Sequence, residues 1–166
     1  MTIQLYDVRK VRYLPQFQLF FNRIAGASSC EATKQYVPLL EDMGINGMSD
    51  DESEPGESEG QRRYRIKEPS FRNPGMKHFL RVFDSLYIGL RKSAGQQYSQ
   101  GNWPRIRLPD ESGQNRIDTA LKYVPKGMPI NFYDENWLRT LLTHQEEKVA
   151  PQKRIVSWQH TQETLE

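Results

Sequence analysis

Apolar positions recur at helical spacing in four stretches of the chain and at strand spacing in two. In LPQFQLFFNRIAG, Phe17, Phe20, Phe21 and Ile24 stand at i, i+3, i+4 and i+7, on one helix face, with Pro15 at the start and Gly26 as the stop. SSCEATKQYVPLLEDMG repeats the pattern through Tyr36, Leu39, Leu40 and Met43. Ser28 and Glu31 have capping-box spacing, Gly44 ends the pattern, and Pro38 predicts a kink or split. NPGMKHFLRVFDSLYIGLRKSAG carries the broadest stripe, formed by Phe79, Leu80, Val82, Phe83, Leu86, Tyr87 and Leu90. There Asn73 is the cap, Pro74 suits the first helical position and Gly95 is the stop. DENWLRTLLTHQEEK adds Trp137, Leu138, Leu141 and Leu142 behind a capping Asp134. Strand signals are confined to RYRIK and RIVSW.

These elements predict a mainly α protein, a small irregular helical domain with a disordered acidic linker and a long Pro/Gly-rich loop. Its parts are an N-terminal helical segment (1–46), the linker (47–61), a helical core segment with the loop (62–149) and a polar, frayed tail (150–166). After Met48 the linker has no large apolar residue. The loop, 96–129, holds Pro104, Pro109, Pro125 and Pro129, with a further short helix expected near RIDTALKYV. The expected core is Phe17, Phe20, Phe21, Leu39, Leu40, Phe79, Val82, Phe83, Leu86, Leu90, Trp137 and Leu141.

Composition and charge change this picture in two ways. Hydrophobic residues are 36% of the chain and charged residues 27%, with a mean hydropathy of −0.80, so the core is modest. The net charge of +2 hides segregation: +3 over 1–27, −8 over 28–60, +9 over 61–127 and −2 over 128–166. A basic middle beside an acidic neighbour points to intramolecular pairing or to a polyanion partner. The single cysteine, Cys30, and the lack of a signal-like stretch lead us to expect an intracellular location, nuclear if nucleic acid is the partner. His78 to Lys92 is broken by Arg81 and Asp84, short of the ~20 apolar residues of a span, so no membrane partner is expected.

Catalysis finds little support. His78, His144 and His160 are far apart and no zinc-type spacing occurs, so they read as surface or capping residues, and no metal or cofactor is expected. Cys30 lies near a predicted helix start, where thiols are activated, yet a half-buried small residue is the plainer reading. GLRKSAG lacks phosphate-loop spacing. A flexible run of carboxylates cannot hold two of them at a working separation.

Nucleic-acid binding is better motivated. QRRYRIK interleaves Arg62, Arg63, Arg65 and Lys67 with Tyr64 and Ile66, and NWPRIRLP adds Trp103, Arg105 and Arg107. Cations for phosphates and rings for stacking therefore occur together. The plainer alternative pairs these cations with the acidic run, which would then mask them. Ser49 precedes DDE, an acidophilic-kinase context and a candidate phosphorylation point. VPLLED has the look of a ligand for a sheet edge, although its leucines already belong to a helical stripe.

Three blocks, GMSDDESE (47–54), YRIKEPSFRNPGMKHFLRVFDSL (64–86) and PKGMPINFYDENWLRTL (125–141), together resemble a family of uncharacterised open reading frames from mushroom-forming fungi. Phe71 stands before Arg72 where that family tends to have Trp, and Met128 to Asn131 depart from its LPRN. The resemblance implies a fungal origin near transposon genes and no established activity, so it carries over no catalytic residue. The expectation is a non-enzymatic interaction protein binding DNA or RNA through the basic segment. The alternatives are a structural or regulatory module holding a protein partner on its apolar helix faces, and a fragment without selected function.

Overall fold

The computed structural model describes residues 15–53, 63–95, 106–108 and 116–160. The chain forms α1 (Pro15–Ser29), α2 (Glu31–Lys34), α3 (Val37–Met43), β1 (Asp50–Ser53), β2 (Arg63–Pro69), α4 (Met76–Ser93), β3 (Ile106–Leu108), β4 (Arg116–Ile117), α5 (Glu135–Arg139) and α6 (Thr143–Val149). The protein is mainly helical, as the periodicity predicts, with a small sheet beside the helices.

The α1–α4 pair is the centre of the fold. Gly26 does not end α1; the helix runs three residues further, because the bare backbone of Gly26 is what lets it lie against α4. A Cβ at Gly26 would stand 2.3 Å from the Phe83 carbonyl oxygen and 3.0 Å from the Tyr87 nitrogen. The inner face of α1 is Leu19, Arg23, Gly26 and Ala27, rotated from the expected aromatic stripe. Phe20 and Ile24 flank the core, while Phe21 is 51% exposed. Arg23, only 3% exposed, takes an inner position because Asp84 of α4 accepts from Nε at 2.7 Å and from Nη2 at 2.9 Å. Such a two-pronged pair meets the need of a buried guanidinium.

The second periodic stretch splits at Pro38 as expected, with the proline in the first turn of α3 and Gly44 at φ 60° closing it. Leu39, Leu40 and Met43 are buried, so the helical reading of VPLLED holds. The Ser28–Glu31 box does not form: Ser28 Oγ donates to the Ile24 carbonyl at 2.7 Å, inside α1, and Cys30 stands at the start of α2. Ahead of α4, Asn73 Oδ1 accepts from the Gly75 N–H at 2.8 Å, and Gly95 lies beyond its end at φ 74°. Met76, Phe79, Leu80 and Phe83 are buried, but Leu90 is 42% exposed. The fourth stretch forms two helices, not one: Asp134 caps α5, and Gln145 Oε1 accepts from the Leu142 N–H at 2.9 Å to open α6. RIDTALKYV forms β4 and a 3-10 turn over Leu121–Tyr123.

RYRIK lies in β2, which pairs antiparallel with β1 and parallel with β3 and β4. The α4 crossover supplies the length that a parallel β2–β3 connection needs. β1 corrects the expectation of a disordered linker over 47–61: the antiparallel partner gives residues 50–53 a ladder that their composition alone does not predict. Residues 54–62 lie outside the described residues.

RIVSW forms no strand, and the tail is not frayed over 150–160. It is an extended segment held by backbone bonds at Gln152 and Arg154 and, beyond them, by side chains. Asn131 pairs with Val156 like a strand neighbour, Nδ2 donating to its carbonyl at 2.6 Å and Oδ1 accepting from its N–H at 3.1 Å. Trp158 Nε1 donates to the Asn131 carbonyl at 3.0 Å, and the His160 ring stacks on Phe79 at 4.6 Å. Val156, Trp158 and His160 are half-buried while Ile155, Ser157 and Gln159 are exposed, the period-2 alternation of an extended chain lying on a core.

Candidate nucleic-acid interface

β2 places most of the basic motif. Ile66 is 6% exposed and turns inward, Tyr64 and Lys67 are half-buried and Arg65 is exposed. Alternation along the strand sets Arg65 and Lys67 on the same face. The parallel register with β3 aligns Arg63 with Ile106, Tyr64 with Arg107 and Arg65 with Leu108. Two basic stretches some forty residues apart in sequence therefore run side by side. The structure brings together the backbones of Arg63, Tyr64, Arg65, Lys67 and Arg107; Arg62, Trp103 and Arg105 lie outside the described residues.

The other edge of β2 is taken by acid. The antiparallel register sets Asp50 against Lys67, Asp51 against Ile66, Glu52 against Arg65 and Ser53 against Tyr64. Opposite charges on facing positions favour a ladder, so the acidic run pairs with the basic one in backbone register. Ser49, just before β1, is 2% exposed. This candidate phosphorylation point is therefore covered while β1 is in place. A cleft of ≈ 230 Å³ lies at the root of this pairing, lined by Asn46, Met48, Asp50, Lys67, Ile117 and Tyr123 among others.

Two arginines outside the basic motifs, Arg116 and Arg72, hold this region in place. Arg116, at the start of β4, donates from Nη1 to Asp134 Oδ2 at 2.9 Å. From Nη2 it donates to the carbonyls of Ser70 at 2.8 Å and Arg72 at 2.6 Å, clamping the bend that leaves β2. Arg72, 3% exposed, donates from Nη1 to the Gly47 carbonyl at 2.7 Å, and the Asp134 N–H donates to the Phe71 carbonyl at 2.8 Å. These bonds join the three sequence blocks at 47–54, 64–86 and 125–141, which together build the scaffold of the sheet.

Two ionisable groups of the scaffold are shifted. Burial alone would raise the Asp134 carboxyl, but the Trp137 amide and the Arg116 guanidinium outweigh it and hold the group below the usual carboxylate value. Burial pushes the Tyr133 phenol up to about 12, against the N–H bond it accepts from Met128. It stays protonated and donates to the Pro125 carbonyl at 2.7 Å.

Cys30 and His78 line a shallow groove of ≈ 610 Å³ beside α4 together with Arg81, Ser85, Leu86 and Gly89. His144 is exposed, and His160 Nε2 lies 2.8 Å from the Phe79 carbonyl oxygen. Among the described residues, no group of His, Cys, Asp and Glu is placed to hold a metal ion, and no helix is long and apolar enough to cross a membrane.

Fold and site together define a mainly helical domain whose small sheet carries a basic central strand between an acidic and a basic neighbour. Residues 8–157 match a family model described as a domain of unknown function, DUF8263, and the chain belongs to that family. No curated protein and no solved structure matches it.

Proposed function

We propose that this chain is a non-enzymatic interaction protein that binds DNA or RNA through the basic β2–β3 segment. The observation that carries this reading is the parallel register that aligns Arg63, Tyr64 and Arg65 with Ile106, Arg107 and Leu108. It puts Arg63 and Arg65 on one face of β2 and Tyr64 beside Arg107 on the other, so the paired strands offer cations for phosphates on both faces and a ring for stacking on one. Lys67 extends the run along β2, and Arg62, Trp103 and Arg105 flank the same strands in sequence. A fungal, transposon-neighbouring origin and a nuclear location, implied by the three sequence blocks and by this partner, belong to the same proposal.

Titration of labelled DNA and RNA strands at several salt concentrations tests it. Binding at low salt that weakens steeply with salt, and that is lost on reversing Arg62, Arg63 and Arg65 to Glu, is the expected result. No binding at low salt, or affinity unchanged by the reversal, contradicts it. Exposed apolar residues favour a second reading, a protein-binding module. Phe21, 51% exposed, stands with Phe17 and Phe20 at ring separations of 4.7 and 5.1 Å. That reading expects a co-purifying protein or concentration-dependent oligomers that Phe21→Ser abolishes.

A further inference from the structure

We infer that β1 is a displaceable acidic cover on β2, an internal competitor for the polyanion that β2 and β3 bind; this rests on the nucleic-acid reading and names its regulation. Three observations meet here.

The first is register. Asp50 faces Lys67 and Glu52 faces Arg65, so the acidic strand is in step with the cations of β2 rather than merely near them. The second is composition. The strand reads DDES, and Asp and Glu are among the residues most depleted in strands, with no β-branched or aromatic side chain to favour the pleated state. β1 is held by its ladder to β2, by the opposite charge in register across it and by contact with α1. Charge pairs near a surface are individually weak and are screened by salt.

The third is position. β1 has β2 as its neighbour in the sheet, whereas β2 also pairs with β3 and β4. Release of β1 breaks one ladder and leaves β2 held by two others. The residues just before β1 are fixed: Met48 and Ser49 are each 2% exposed, and the Gly47 carbonyl is bound by Arg72. The cover is therefore anchored on its Met48–Ser49 side. A phosphodiester strand offers more charges in a row than the three carboxylates of β1, so it displaces the cover where a single small anion does not.

The test uses the full chain and a labelled oligo-dT strand, read by fluorescence anisotropy across a salt series. The isosteric variant D50N/D51N/E52Q is expected to bind roughly tenfold more tightly than the wild type at low salt, with the gap closing as salt rises. Equal affinity at low salt overturns the cover while leaving the nucleic-acid reading intact. No binding by either protein sinks that reading and the cover with it. Amide hydrogen exchange of the unaltered chain gives a readout that does not depend on the variant folding. Amides of residues 51–53 are expected to exchange faster when oligo-dT saturates the protein, and unchanged or slower exchange there overturns displacement.

Discussion

At the scale of single residues, two glycines on the central helix pair show opposite constraints. Gly26 is where α1 touches the α4 backbone, and a methyl group there would stand 2.3 Å from the Phe83 carbonyl oxygen. Gly89 of α4 is exposed and would meet nothing within 4 Å. Urea unfolding is expected to show Gly26→Ala less stable by about 2 kcal/mol or more. Gly89→Ala is expected to be more stable by about 0.5–1 kcal/mol. Equal effects would contradict the close helix contact. Gly26 was legible in the sequence as a glycine after an apolar stripe, but a stop and a crossing point look the same there. Only the partner helix distinguishes them.

Asp134 supplies a prediction with a pH axis. Its carboxyl is held below the ordinary value because the Trp137 amide and Arg116 outweigh burial. A carboxyl whose pKa is lower in the folded state adds stability that is present above its unfolded value of about 3.9 and is lost as pH falls through the folded value. Asp134→Asn keeps a capping oxygen but loses the charge. Its deficit against wild type should be full at neutral pH and should shrink as pH falls through the acid range, measured by urea midpoints. A deficit that stays constant into strong acid would contradict the shift.

At the scale of elements, α1 and α4 are joined by a part-buried ion pair as well as by close backbones. Asp84→Leu leaves the Arg23 guanidinium, 3% exposed, without its carboxylate, at a cost of about 3 kcal/mol. The double variant Arg23→Met/Asp84→Leu should recover much of that loss, since a well-packed apolar pair replaces a buried ionic one at little cost. A double variant no more stable than the single one would show that the loss comes from packing rather than from the stranded charge. The same pair explains why periodicity misjudged the face of α1. A count of apolar positions selects Phe17, Phe20, Phe21 and Ile24, while the inner face holds Leu19, Arg23, Gly26 and Ala27. Arg23 is invisible to that count because its burial depends on Asp84, sixty-one residues away.

Elements with a local cause were legible. Pro38 split the second stretch, Asp134 capped α5, and β2 followed the alternation of RYRIK. Elements that owe their shape to a partner were not. DDES has no strand character of its own and becomes β1 only against β2. Residues 150–160 look polar and loose, yet Val156, Trp158 and His160 alternate onto the core once Asn131 clamps the backbone beside them. The candidate site was half legible for the same reason. The two basic motifs stood out in the sequence, but their alignment depends on the α4 crossover.

At the scale of the whole molecule, the charge segregation that conceals itself in a net charge of +2 has a structural counterpart in the sheet. The acidic stretch supplies one neighbour of β2, and the basic middle supplies β2 itself with β3 and β4. Arg116 and Arg72 tie that sheet to the helical core through backbone carbonyls and Asp134, so the basic strands sit on a fixed platform. A polyanion held by such strands releases counterions in proportion to the phosphates they neutralise.

The most direct measurement is therefore the dependence of affinity on salt for a single-stranded oligonucleotide. A linear fall of log affinity against log salt is expected, with a slope of roughly −0.7 for each phosphate contacted. Replacing Arg63, Arg65 and Arg107 together by Gln should make that slope shallower by about 2. A slope near zero for the unaltered chain, or an unchanged slope in the triple variant, would contradict it.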